Sequence, residues 1–365
     1  MKEFAIKLQR ARALIEKYQV DGLLLRRISS FAWATCGAAS YVNTAASEGG
    51  ASLLITEHHT YLATTNIEAP RLQQEEKLEN QGWEFHISPW SEPQSGLLKL
   101  IHGMNLIADV PFAGSREVNA EISRVRAHLT NFEGEKFRQL GKLCAEAMNI
   151  AIRSIRPGMN EYQIAAILGG EAQQRGVQPI VNLIATDERI YQYRHPLPTD
   201  KKLEKYALLV LSGRKWGLVC SISRLVHFGL IPTDLQARIE ANQRVNAAFI
   251  ANTNPGRLLG EIFFEGQKAY AAAGYADEWK QHHQGGAAGY ESREYLGTPG
   301  STDVVEEGQA YAWNPSIAGT KMEDTILIGA QTNEIITGIP GWPVQNLSVS
   351  GKAGEVPCPA VLEIT

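Results

Sequence analysis

Ala151-Ile152-Arg153-Ser154-Ile155-Arg156-Pro157-Gly158-Met159-Asn160-Glu161-Tyr162-Gln163 is the stretch from which the fold is read. Before it, Phe137, Leu140, Cys144, Ala147, Met148, Ala151 and Ile155 recur at three- and four-residue spacing and make one helical stripe. Pro157-Gly158 stops that helix. Asn160, with Gln163 three residues on, predicts the N-cap of a second helix, a variant of the capping box, which runs to about Arg175-Gly176 before strand-like sequence. The same order recurs downstream. A helix from about Leu235 to Ala251 ends at Asn254-Pro255-Gly256, a second runs to Ala273-Gly274, and strands follow. Two helix-PG-helix-strand units of similar length predict an internally duplicated α+β domain, its helix pairs covering one face of a shared antiparallel sheet.

Towards the N-terminus the pattern changes. Phe4, Leu8, Ala11, Leu14, Ile15 and Tyr18 predict an opening helix, and the apolar runs 22–25, 51–55 and 60–64 predict buried strands. Together they describe a small α/β domain. Val118 to Glu133 shows no sustained apolar face and is read as a linker, which puts the two domains at 1–128 and 129–365.

Composition excludes several classes. Of 365 residues 44% are hydrophobic and 20% charged, ordinary for a globular protein of two domains. The 35 Lys+Arg against 39 Asp+Glu give a net charge of −4, so neither nucleic acid nor an anionic membrane is an expected partner. Cys36, Cys144, Cys220 and Cys358 form no CxxC pair and read as free thiols of a cytoplasmic protein. The N-terminus lacks a signal-peptide core, and no apolar run approaches the roughly 20 residues that span a bilayer.

Four segments carry chemistry-bearing residues in order: Tyr193-Arg194-His195-Pro196-Leu197-Pro198-Thr199-Asp200; Cys220-Ser221-Ile222-Ser223-Arg224; Gly285-Gly286-Ala287-Ala288-Gly289; and Asn314-Pro315 with Met322-Glu323-Asp324-Thr325. On the duplicated framework they resemble the pita-bread enzymes: methionine aminopeptidase, aminopeptidase P, prolidase and creatinase. The small first domain resembles the N-terminal domain of creatinase and aminopeptidase P. The resemblance implies a homodimer and a site at these four segments.

The metallopeptidases of this group hold two metal ions with two Asp, one His and two Glu, since hard divalent ions need charged oxygen ligands. By the resemblance, the second Asp position holds Ser221 and the first falls at or near Val210. Gly286 stands for the His, Asn314 for the first Glu, and Glu323 alone survives. No metal and no other cofactor is therefore expected. His282 and His283 are the nearest substitutes, with Glu291 and Glu294, but adjacent histidines on a strand point to opposite faces.

His195 remains, held in an extended loop by Pro196 and Pro198. It matches the group's substrate-facing histidine, and an imidazole can both take and give a proton near neutral pH. Glu323 enters a core strand, where an unpaired carboxylate is costly; a site role or a pairing with Arg224 would each satisfy it. These two are the expected catalytic residues. Creatinase works without metal, its corresponding histidine moving protons, though it carries a Glu where this chain has Ser223. Arg293 falls where the metallopeptidases have a second histidine, and its guanidinium could fork onto a substrate carboxylate. Glu294, Tyr290, Asn314, Ser223 and Arg194 are grouped with it as expected substrate contacts, and Asn43 and Glu48 join them by resemblance alone. Three functions follow: a metal-independent, creatinase-like hydrolase or lyase cleaving a C–N bond of a small, polar, anionic substrate; a metal-dependent Xaa-Pro peptidase; or an inactive pita-bread domain that binds a protein.

Overall fold

The computed structural model describes residues 2–365 and divides into two units. The first comprises residues 2–126 with the hairpin tip Trp216–Leu218. In chain order it contains α1 (Lys2–Tyr18), β1 (Gly22–Arg27), α2 (Ile28–Ala34), β2 (Glu48–Thr56), β3 (Thr60–Thr65), α3 (Ala69–Gln74), β4 (Glu84–Ser88), α4 (Ser95–Leu100), β5 (Leu106–Ala108), β6 (Arg116–Glu117) and nearly all of α5 (Asn119–Ala127). The strands form one six-stranded sheet in the order β4-β3-β2-β1-β5-β6. Leu23, Leu24 and Leu25 are fully buried, as a continuous apolar run inside a mixed sheet requires.

The second unit, Ala127–Lys215 with Val219–Thr365, holds the duplication. Its first half is α6 (Asn131–Ser154), α7 (Glu161–Gln174), β7 (Gln178–Thr186), α8 (Arg189–Gln192), β8 (Tyr206–Lys215) and β9 (Leu218–Phe228). Its second half is α9 (Thr233–Asn252), α10 (Leu259–Ala272), β10 (Gly285–Ala288), β11 (Tyr295–Leu296), β12 (Ala310–Trp313), β13 (Ser316–Ile317), β14 (Thr320–Lys321), β15 (Asp324–Leu327) and β16 (Glu334–Ile335). Three strands close the chain: β17 (Val344–Ser348), β18 (Glu355–Pro359) and β19 (Leu362–Ile364).

The Asn160 N-cap forms a full capping box: its side chain accepts from the Gln163 amide at 2.9 Å, and Gln163 Oε1 accepts from the Asn160 amide at 2.9 Å. Two expectations change. The stretch read as a linker is largely helical: α5 covers Asn119–Ala127, and Thr130 and Glu133 build a second capping box that starts α6 six residues before its apolar stripe begins. In place of one shared antiparallel sheet there are two, of order β19-β9-β8-β7 and β11-β10-β12-β15-β16, with β19 running parallel to β9. A single bridge, Ser223 opposite Glu323, joins them. Beside it Thr325 Oγ1 accepts from the Ser221 amide at 3.0 Å and donates to the Ser221 carbonyl at 2.9 Å. The segments expected to carry chemistry thus meet along this seam.

Aromatic packing fixes the second half. Phe249 on α9 stacks on Trp313 of β12 with ring centroids 4.6 Å apart, and Trp313 Nε1 donates to Thr253 Oγ1 at 2.9 Å. Gly266 on α10 is required there, since a Cβ would stand 2.2 Å from the Phe249 ring.

Candidate functional site

A cavity of about 420 Å³ lies at the seam, lined by His195, Ser212, Ser221, His283, Arg293, Asn314, Lys321 and Glu323 together with Val181, Leu183, Val210, Glu291, Ser292 and Leu296. A larger groove on the first unit, about 1090 Å³ between α1 and the turn after β2, lacks a comparable buried set of charges. The seam cavity is the better candidate site.

Glu323 is its centre. Arg293 Nη2 donates to Glu323 Oε1 at 2.9 Å, Ser223 Oγ donates to Oε2 at 2.7 Å, and Lys321 Nζ lies 3.8 Å from Oε2. Burial alone would raise the Glu323 carboxyl, but Lys321, Arg293 and the Ser223 hydroxyl outweigh it and hold the group below its ordinary value. Burial pulls the Lys321 ammonium below the usual lysine range, and Glu323 partly offsets it. The alternative pairing of Glu323 with Arg224 does not occur. Arg224 Nη2 donates instead to Asp324 Oδ1 at 2.8 Å, and Thr337 Oγ1 donates to the same oxygen at 2.6 Å. Successive residues entering β15 send their carboxylates opposite ways, Asp324 into a closed pair and Glu323 into the cavity.

His195 sits on the loop after α8 and faces this cluster. Desolvation, then the Lys321 charge, push the His195 imidazole below its ordinary value, which favours the neutral ring. His282 Nε2 lies 3.0 Å from His195 Nε2, and the His283 ring centroid is 5.7 Å from that of His195. The expectation that His282 and His283 point apart fails. They precede β10 in an irregular segment, where the two-residue alternation of a strand does not apply, and their centroids are 4.5 Å apart. Burial, with Lys321 adding to it, lowers His282 to about 2; burial and Arg293 lower His283 to about 4.

Asn314 also lines the cavity, and its buried Oδ1 has no hydrogen-bond partner. Other expected contacts are placed elsewhere. Tyr290 Oη donates to Glu133 Oε1 at 2.7 Å, and Glu294 Oε1 accepts from the Tyr290 amide at 2.8 Å, so both support the β10–β11 turn and neither lines the cavity. Arg194 is turned to an ion pair with Glu278. Ser223 reaches the site only through Glu323. Within the first unit, Asn43 Oδ1 accepts from the Ala45 amide at 3.0 Å, and Glu48 pairs with Arg26 at 3.1 Å. Nothing local in the sequence marks Lys321 as buried; its place at the end of β14, beside Glu323, shows only in three dimensions.

Two adjacent divalent ions would need several charged oxygens. Among the cavity-lining residues only Glu291 and Glu323 carry carboxylates, and two side-chain cations already hold Glu323. Ser212 and Ser221 bond each other at 2.9 Å. A Cβ on Gly286 would stand 2.1 Å from the Tyr295 carbonyl oxygen, which leaves no room there for a ligating side chain. This donor set does not fit a pair of divalent ions.

Comparison with known proteins places the architecture. The structure is similar to the Xaa-Pro dipeptidase from Bacillus anthracis, with a TM-score of 0.79 at 18% identity, covering 99% of this chain and 100% of that one. Among curated relatives, an uncharacterized peptidase of Staphylococcus saprophyticus is 23% identical over 235 residues, 61% of this chain and 66% of that protein. The alignment thus spans just under two thirds of that relative's length. The putative dipeptidase YkvY of Bacillus subtilis is 21% identical over 285 residues, 71% of this chain and 78% of its own. No described helix is long and apolar enough to cross a membrane. The model of metallopeptidase family M24 matches residues 135–330, more than half of the chain and all four ordered motifs, and the protein belongs to that family.

Proposed function

We propose that this family member hydrolyses a C–N bond in a small, polar, carboxylate-bearing molecule without a pair of metal ions. One observation carries the reading: Glu323 is held by Arg293 and Lys321 in the cavity that His195 lines, where burial favours the uncharged imidazole. A neutral imidazole can take a proton from the attacking water and return it to the departing nitrogen, so one group serves both half-steps. Arg293 Nε is buried without a partner, and Lys321 keeps hydrogens beyond its loose contact with Glu323; both leave donors for a substrate carboxylate. Asn314, with its unpartnered oxygen, supplies an acceptor for a substrate N–H. A cytoplasmic setting belongs to the same reading, supported by four free cysteines, three of them buried, and the homodimer is carried by the resemblance alone.

A second reading, a metal-dependent Xaa-Pro dipeptidase, is favoured by the peptidase names of the relatives. One assay separates the two. Chelator-treated protein is offered N-acyl amino acids, guanidino acids and Xaa-Pro dipeptides, and its metal content is measured. We expect turnover that survives the chelator, with His195→Ala lowering kcat/KM by about 10²–10⁴-fold while the far-ultraviolet spectrum is unchanged. Xaa-Pro cleavage that disappears with chelator and returns with two Mn or Co per chain would establish the second reading.

A further inference from the structure

Beside Glu323, the cavity wall carries a cluster that the proposed reaction does not use in full. One ring nitrogen each from His195, His282 and His283 lie within 4.8 Å of one another. His282 is buried behind the other two, which face the open cavity, and its Nδ1 has no hydrogen-bond partner. The backbone that carries the adjacent pair is fixed. Gln284 Nε2 donates to the His282 carbonyl at 2.6 Å, and Tyr270 Oη donates to Gln284 Oε1 at 2.8 Å. These contacts hold the main chain at the pair, and the unpartnered His282 Nδ1 leaves that ring no competing hydrogen bond there.

We propose that His195, His282 and His283 form a mononuclear site for one borderline divalent transition metal of the Zn²⁺ type, separate from the carboxylate positions of the family. Metal–imidazole bonds of about 2.0–2.1 Å put tetrahedral ligand atoms roughly 3.4 Å apart. The His195–His282 Nε2 pair at 3.0 Å is close to that spacing, and ring rotation of the more exposed His283 supplies the third bond. Three neutral nitrogens and no carboxylate disfavour Mg²⁺, Ca²⁺ and Mn²⁺ and suit Zn²⁺, Ni²⁺ or Cu²⁺. The fourth position opens onto the cavity. A bound ion would occupy the His195 lone pair, so on the reading that His195 moves protons, metal binding and turnover exclude each other. The metal is then an inhibitor.

The test is a Co²⁺ titration of the intact, metal-stripped protein, followed by its visible absorption and displaced by Zn²⁺. We expect one Co²⁺ per chain with a tetrahedral spectrum. His283→Gln should weaken binding at least tenfold, and Glu323→Gln should leave the stoichiometry at one. His282→Gln is the harsher variant because its ring is buried; the more exposed His283 keeps the test valid should that protein not fold. Absence of stoichiometric binding overturns the proposal, as do two ions per chain lost on Glu323→Gln. Once a substrate is known, Zn²⁺ should slow turnover with the midpoint of its binding, and acceleration would overturn the inhibitory role. The titration needs no substrate, so it stands even if the proposed reaction fails.

Discussion

The two halves of the second unit share a layout and differ in what holds them. In the first, helices begin at capping boxes, Thr130 with Glu133 and Asn160 with Gln163. The buried Glu161 accepts from the Thr186 amide at 2.8 Å and the Thr199 amide at 2.9 Å and pairs with Arg189. In the second, α9 and α10 start at Pro232 and Leu258 with no side-chain cap bond, and packed aromatics, Phe249, Phe263, Trp313 and Tyr270, hold the helices. The site divides the same way. The first half lends it one histidine and the neutral pair Ser212 and Ser221, while the second supplies Arg293, Lys321 and Glu323. A metal shared across a two-fold needs ligands from both halves; a charge cluster can be built from one.

Three substitutions probe this asymmetry. The largest effect is expected at Glu323→Gln, which leaves Lys321 and Arg293 without their shared counter-charge. Removing one partner of a buried ion pair costs about 3–5 kcal/mol. Urea unfolding should show that loss, and the double variant Glu323→Gln, Lys321→Met should recover part of it. No change in stability would mean that the charges of the second half do not act as a unit. Gly286→His comes next. If the first half still offered ligands, restoring a histidine here would gain metal; instead the new side chain meets the Tyr295 carbonyl. We expect a destabilisation of about 1–3 kcal/mol, the usual range for overpacking, and no gain of metal over the parent protein by elemental analysis. The smallest effect is at Asn160→Ala, which removes one cap from the first half and should cost about 1 kcal/mol by thermal unfolding. The second half has no equivalent bond to lose at Leu258.

What the sequence disclosed follows the range of the forces involved. Helix starts and stops are local: Pro157-Gly158, Asn160 and Gln163 lie within seven residues, so the repeat was legible. Thr130 and Glu133 carry the same signal, but no apolar stripe runs through the segment to draw attention to it, and a helix start was read as linker. The cavity's occupants were legible where a motif named them, as for His195, Arg293 and Glu323. Lys321 was not, because its burial depends on strands that meet only after folding. Arg224 found Asp324 rather than Glu323, an outcome that alternation along β15 anticipates once the strand is known to begin there. The histidine pair shows the opposite failure. Strand alternation does not hold ahead of Gly285, where β10 begins, and the two rings converge where alternation would send them apart.

Lys321 and Arg293 are cations on tethers, and that has a cost and a benefit that dissolved ions do not share. They cannot be scavenged by a competing protein or exchanged for a wrong element, so the site is complete as soon as the chain has folded. Each carries only one positive charge, however, and holds it on N–H groups. Those groups attract an anionic group by donating hydrogen bonds to it, whereas a metal ion does so by accepting its electron pairs. A site built on them is suited to gripping a carboxylate in a chosen direction and poorly suited to making hydroxide from water, so the burden of moving protons falls on the uncharged ring of His195.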